Sequence, residues 1–321
     1  MSYVSSQNPN IIRQEIYDAA LVKSLDDWLV GRPMFDDKTG IFGDGDTLKI
    51  TKTGDRALSN YSEDTGVDFS KMATSRVELA VTDYKQDGWY MTDKQKLDGH
   101  QAMAFFAENV RKSSIAFERD IEKAVLAVAN QQVIGGRNLI NGQPHRFAGS
   151  GPSGNIALQD IANLKLSFDL ALVPEGNRVL IINPQQEFQI NKLLNIVAVA
   201  DGSTFNKDFD GLIETGFGDK LNFVRNIYGF NIMISHNLPS ITAETIVKAD
   251  NTGSATYTGE AMIAMSMASA DDMPFMGVMR QRPTSEFFRN VTMKRDEYST
   301  TCRYGFALKR AETLGVIVTP T

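Results

Sequence analysis

The grouping with the most chemical potential is Gly149-Ser150-Gly151-Pro152-Ser153-Gly154, a G-x-G-x-x-G spacing just ahead of a helical pattern. In a dinucleotide site such glycines bring main-chain N–H groups to a pyrophosphate at a helix N-terminus, directly after a buried parallel strand. Residues 143–148, QPHRFA, do not read as that strand, and Pro152 removes one donor. The expectation is a flexible loop, with a nucleotide-binding enzyme acting through Gly149 and Gly154 as the remote alternative. His100, His145 and His236 are too scattered for a metal set. Gly43-Asp44-Gly45-Asp46 lacks the ligand spacing and closing glutamate of a calcium loop. Asp83, Asp87 and Asp93 read as solvated turn residues. Cys302 is the single cysteine, which excludes an intramolecular disulfide and reads as a small buried hydrophobe. No Walker A motif, nucleophile elbow or Cys–His pairing is present. No catalytic, cofactor-binding or metal-ligating residue is nominated, and an enzyme is not expected.

Composition narrows the class further. The chain has 321 residues, 42% of them hydrophobic, and a formal net charge of −6. That is enough for a sizeable core. Without a Lys/Arg cluster it does not read as a general nucleic-acid binder. No apolar run approaches the length of a membrane span, and residues 1–10 do not read as a signal peptide. The expectation is a soluble protein made in a reducing compartment.

The element that must position everything else is residues 98–130. Met103, Phe106, Val110, Ser113, Phe117, Ile121, Ala124 and Val128 recur at steps of three and four, so they form one stripe on a long helix. Asp98 is the expected N-cap and Gly135-Gly136 the stop. Charges of both signs cover the opposite face. Before it, residues 1–42 look like an arm with a weak helical pattern over 11–30. Two alternating stretches, 45–51 and 75–93, read as strands flanking a polar, turn-rich segment. With so few apolar residues, that hairpin has no evident partner in its own chain.

After the helix come an Asn141-Gly142 turn, a helix over 156–172 and a buried strand over 178–184. Asn183-Pro184 then starts a third helix presenting Phe188, Leu193, Leu194 and Val197. A strand–turn–strand unit spans 211–239, a polar loop 250–257 and a buried strand 260–268. A long hairpin follows, with strands flanking Arg295-Asp296-Glu297-Tyr298, and then a last strand at 312–319.

This order resembles the major capsid protein of tailed bacteriophages, the Hong Kong phage capsid fold. The most specific carrier is NFVRNIYGFNIMISHNLP, residues 222–239, with Asn222, Gly229, Phe230, Asn237 and Pro239 as its signature. YGFALKRAETLGVIV, residues 304–318, is the second, and Gly45-Asp46-Thr47 a weaker third. The resemblance implies an α+β fold with an N-terminal arm (1–42) and an E-loop (43–97). It implies a peripheral P-domain (98–155 and 271–310) built on a spine helix at 98–130. It also implies an axial A-domain (156–270 and 311–321) with a central sheet flanked by helices.

The same resemblance implies a subunit that self-assembles into pentamers and hexamers of an icosahedral head around double-stranded DNA, without sequence-specific binding. An encapsulin-like nanocompartment shell is the alternative. Asp55, Arg56, Glu63, Asp64, Lys71 and Arg76 are the expected intersubunit contacts. Expected partners are further copies of the chain, a portal protein and a separate scaffolding protein. A decoration or cement protein is left open. No cofactor and no membrane are implied. The expected location is the virion, after synthesis in the host bacterial cytoplasm.

Overall fold

The computed structural model describes residues 34–43, 45–54, 58, 60, 63, 69, 71–72, 74–98, 102–131, 139–190, 226–249 and 253–320. The expected arm helix, Gly135-Gly136, and Leu193, Leu194 and Val197 lie outside them. The first strands are β1 (Phe35–Asp37), β2 (Thr47–Thr53), β3 (Thr74–Ala80) and β4 (Asp83–Thr92). Next come β5 (Leu139–Ile140), β6 (Gln143–Pro144), β7 (Arg146–Ala148), β8 (Arg178–Ile182), β9 (Asn226–Ile227) and β10 (Phe230–Ile234). The last are β11 (Ser240–Lys248), β12 (Ser254–Ser266), β13 (Phe275–Asn290), β14 (Arg295–Leu308) and β15 (Leu314–Thr319). Helices are α1 (Asp93–Asp98), α2 (Ala102–Ala127), α3 (Leu158–Leu170) and α4, described over 184–190.

The long helix is described from Ala102. Gln95 N–H donates to Thr92 Oγ1 at 3.3 Å, while Thr92 N–H donates to Gln95 Oε1 at 3.1 Å. This reciprocal T-x-x-Q box caps the helical stretch α1, in which Asp98 is already helical and is not the N-cap. From Ala102, α2 runs 26 residues and tightens into a 3₁₀ turn at Val128–Gln131. Ser113, Phe117, Ile121, Val125 and Val128 are buried, whereas Val110 is exposed. The C-terminal half packs with Val179, Ile181, Ile263 and Val316, together with Cys302 and Tyr304. The N-terminal half instead meets an aromatic cluster, with Phe106 edge-on to Trp89 and Tyr298.

Two sheets carry the rest. The four-stranded sheet has order β1-β13-β14-β4. In its long hairpin Arg295, Asp296, Glu297 and Tyr298 already belong to β14. The turn is residues 291–294, where Lys294 takes φ 51°. The stretch 75–93 is not one strand: β3 pairs with β2 and β4 with β14, and the corner between them is pinned by Val81 N–H to Asp46 O at 2.8 Å.

The seven-stranded sheet has order β11-β7-β15-β12-β8-β10-β9. Its strand β8, RVLII, is buried throughout between parallel β10 and antiparallel β12, as an unbroken apolar run requires. Asn141 and Gly142 turn β5 into β6, and Tyr228 and Gly229 turn β9 into β10, each pair at positive φ. Residues 254–257 are not a polar loop. They open β12, pairing with β11, because Tyr257 packs on the core while its neighbours face out. At Gly259 the strands β11, β12 and β15 converge so closely that a Cβ there would overlap the Thr319 carbonyl.

Candidate assembly interface

The glycine-rich loop follows a strand after all. Arg146–Ala148 is fully buried and runs parallel to both β11 and β15, so the helical pattern does follow a parallel strand. Sequence reasoning missed it because β7 is short and is led in by a proline. Most of the loop's main-chain donors, however, are already used. Gly149 N–H binds Val318 O at 2.8 Å, Gly151 N–H binds Asn155 O at 2.8 Å and Gly154 N–H binds Gly151 O at 2.9 Å. The buried Asp160 carboxylate takes Ser150 N–H (2.9 Å), Ser150 Oγ (2.5 Å) and Ala157 N–H (2.8 Å). Gln186 Oε1 takes Ile156 N–H at 2.9 Å. A Cβ on Gly149 would lie 2.5 Å from Gly154 O, so its glycine serves loop closure. An anion would meet a carboxylate here, which opposes a pyrophosphate site. The cleft of about 550 Å³ beside the loop is lined by Lys248, Tyr257, Gln159 and Asn163 among others.

The ribbon formed by β2 and β3 is anchored at its root, contrary to the expectation that it lacks an internal partner. Leu48, Ile50, Val77 and Leu79 alternate with polar residues and close over Met276, Val278 and Ala307 at the base of the long hairpin. Burying such a side chain contributes about 1.5–3 kcal/mol, enough to hold a ribbon that would be marginal alone. Farther out, Lys52 Nζ lies 3.2 Å from Glu312 Oε1, in the turn before β15. Beyond β2 and β3, among the described residues, Leu58 is 101% exposed, Phe69 91% and Met72 61%.

A second uncovered apolar surface sits at the tip of the β13–β14 hairpin. Phe288, Val291, Met293 and Tyr90 are all exposed. Phe287-Phe288 is a consecutive aromatic pair on a strand, so one ring must face away from the sheet's packed side. Phe287 stays near Tyr298, with ring centroids 5.1 Å apart. The Arg295 guanidinium lies 4.4 Å from the Tyr90 ring centroid.

The same tip is tied to α1 by charge. Arg289 Nη1 and Nη2 each donate to Asp93 at 2.6 Å, and Nη1 also reaches Asp296 at 2.7 Å. Lys96 binds the other Asp296 oxygen. These hydrogen bonds, to Arg289 for Asp93 and to Lys96 and Arg289 for Asp296, hold both carboxyls below their ordinary values.

Of the expected contact residues, Asp55, Arg56 and Asp64 lie outside the described residues. Glu63, Lys71 and Arg76 are exposed, Arg76 on β3 opposite Thr51. Among the signature residues, Asn222 lies outside the description. Gly229 holds its turn at φ 85° and Phe230 is fully buried. Asn237 is buried, its N–H on Ser235 Oγ at 3.1 Å, and the Pro239 carbonyl accepts Ala261 N–H at 3.0 Å. The exposed Leu58, Phe69, Phe288, Val291 and Met293 were not singled out from the sequence. Their only signal there is apolar residues amid turn-forming or charged neighbours.

Among the described residues no three His, Cys, Asp or Glu side chains are grouped to hold a metal, and no helix is long and apolar enough to cross a membrane.

Comparison with known proteins agrees with this architecture. Solved structures with the same fold include one from Mycobacterium phage Che8, at 18% identity and TM-score 0.64, covering 94% of this chain and 96% of that one. The capsid of cyanophage P-SCSP1u matches at 14% identity and TM-score 0.67, covering 95% and 92%. The SrpI encapsulin complex of Synechococcus elongatus PCC 7942 matches at 8% identity and TM-score 0.56, covering 94% and 92%. No curated protein matches at a significant level. A family model described as phage capsid protein matches residues 75–319, from the ribbon's second strand to the last strand of the sheet, and the chain belongs to that family.

Proposed function

We propose that this chain is a major capsid subunit whose copies close into an icosahedral phage head, each ribbon tip lying on the hairpin tip of a neighbouring copy. The observation that carries the contact is the placement of the two uncovered apolar surfaces. The ribbon is rooted at Val278, whereas the hairpin turn begins after Asn290. At about 3.3 Å per residue those points are roughly 40 Å apart. The Lys52–Glu312 pair ties the ribbon to the turn before β15. Two copies can bring these two surfaces together, and that is the contact proposed. Such a contact is heterologous, and heterologous contacts generate rings and closed shells.

Glu63, Lys71 and Arg76 sit on the exposed ribbon, where they would set register across that contact, with Asp55, Arg56 and Asp64 as further candidates. The finer parts of the proposal are pentamers and hexamers around double-stranded DNA, with portal, scaffolding and decoration proteins as partners. The virion is the location, after synthesis in the host cytoplasm. The division into arm, E-loop, P-domain and A-domain belongs to the same proposal.

The test is the double substitution Leu58→Ser with Phe69→Ser. The purified chain should keep its melting temperature, because neither side chain is packed. Negative-stain electron microscopy should show no particles where the unaltered chain forms shells. Normal shells from the variant would overturn the contact. The encapsulin likeness supports a second reading, a shell around protein cargo, which a small DNA-free particle with a protein inside would favour.

A further inference from the structure

The C-terminal end of α3 holds an exposed leucine at a position made for glycine. Val173 N–H donates to Phe168 O at 3.0 Å, and Leu172 N–H to Asp169 O at 3.1 Å. These two bonds form a Schellman motif, with Leu172 at the left-handed residue that glycine normally supplies. Leu172 takes φ 57° there, a conformation that costs a leucine more than a glycine. Its side chain offsets little of that cost by packing among the described residues, being 89% exposed. Leu166 and Leu170, one turn apart on α3, are each about half exposed and extend the apolar surface.

The loop that holds this leucine is pinned from inside. The buried Arg178 donates from Nε to Pro174 O at 3.1 Å and from Nη2 to Val173 O at 2.7 Å. Its Nη1 pairs with Asp169 at 2.8 Å, and the guanidinium lies 5.6 Å from the Phe168 ring centroid. One cation thus fixes the chain on both sides of Leu172, which is presented preorganised. Three residues on, Glu175 is exposed and has no ion-pair partner among the described residues.

The other end of α3 borders a cleft that suits such a knob. The space of about 550 Å³ beside the glycine-rich loop is lined by Gln159 and Asn163 of α3 and by Ala249, Tyr257 and Pro320. Among the described residues Lys248 is the one charged side chain lining it, and it too has no ion-pair partner. The Asp160 carboxylate is buried against Ser150 and Ala157 and does not line it. A space of that size is roughly 10 Å across, and residues 172–175 span at most about 10 Å. A leucine seated beside Ala249, Tyr257 and Pro320 leaves Glu175 within reach of Lys248.

We propose that Leu172 is the knob and this cleft the hole of a contact between two copies of the chain, with Glu175 of one copy paired to Lys248 of the next. Knob and cleft lie at opposite ends of α3, so each copy gives one knob and receives one, and the contact repeats from copy to copy. The proposal rests on the reading that copies of this chain assemble, and it is independent of the ribbon contact.

The experiment pairs thermal unfolding with sedimentation of the full chain. Leu172→Gly should raise the melting temperature by about 2 °C, because strain is relieved with little packing lost. The same variant should raise the concentration needed for half-assembly about tenfold or more, because a seated leucine is gone. Glu175→Lys should weaken assembly as well, and adding Lys248→Glu to it should bring assembly back to within about twofold of the unaltered chain. A leucine that only ends a helix gives the first effect without the others. Unchanged assembly of Leu172→Gly, a fall in its melting temperature, or no rescue by the exchange of charges would each overturn the contact. Normal shells from Leu172→Gly would do so while leaving the shell reading intact. Association of the unaltered chain that never closes into particles, yet is lost in Leu172→Gly, would sink the shell reading and keep the knob.

Discussion

At the scale of single residues, two positions report how tightly the seven-stranded sheet is assembled. Gly259 sits where three strands meet, and its missing side chain is what lets them meet. Gly259→Ala should lower stability by about 3 kcal/mol or more, since the obstructing atom is main chain and cannot rotate away; thermal unfolding by circular dichroism reads this directly. Ala243 is the reverse case. It holds φ 49° at a bulge in β11, with its N–H on Thr258 Oγ1 at 3.0 Å. Ala243→Gly should raise stability by up to about 1 kcal/mol, because relief of the left-handed strain exceeds the added chain entropy. The bulge was not legible in the sequence: nothing in SITAETIVK distinguishes a bulged strand from a regular one. The buried Phe230 and the Asn183 cap were legible, the first from apolar density and the second from side-chain chemistry that acts locally.

At the scale of elements, polar side chains stitch units that apolar packing alone would leave loose. Arg146 on β7 grips Glu244 on β11 at 2.7 and 2.6 Å and donates to Ala129 O, just past the end of α2, at 3.2 Å. The long helix is thereby joined to the sheet at its C-terminal end. Glu244→Ala strands a buried guanidinium and should cost about 3–5 kcal/mol in denaturant unfolding.

The α1 junction is tuned by pH. Asp93 and Asp296 have folded values depressed below the ordinary 3.8, so their stabilisation is present above that value and lost as pH falls through the depressed ones. The melting temperature should therefore drop below about pH 4, and Arg289→Ala should flatten that acid limb. Asp160 acts with the opposite sign: burial raises it against the bonds from Ser150 and Ala157, so its contribution is largest at low pH and declines as pH rises above 3.8. Element identities were mostly readable from hydrophobic period. Boundaries were not, because the chain enters helix at a capping box made by Thr92 and Gln95, ahead of the more conspicuous Asp98.

At the scale of the whole molecule, the order of elements pointed to the family before any contact was known, since order and spacing survive where identity falls to 18%. The surfaces left for other copies were less visible. The sequence drew attention to charges on the ribbon, whereas the structure draws it to Leu58, Phe69, Phe288, Val291 and Met293, exposed apolar side chains among the described residues. An exposed apolar residue looks like any other until the core has been assigned.

The crossing between the two sheets has a mechanical meaning. The chain leaves β12 for β13 and returns from β14 to β15, so two covalent strands run side by side between the layers. They are buttoned together: Lys309 N–H meets Pro274 O at 2.7 Å, and Lys309 Nζ reaches Asp36 Oδ2 at 2.7 Å and Ala270 O at 3.2 Å. Tension applied to the hairpin tip by a neighbouring tile travels down both strands of one hairpin at once. It enters the seven-stranded sheet through adjacent, centrally placed β12 and β15. A wall made of such tiles shares outward pressure across doubled straps, and it yields first at the contacts between tiles.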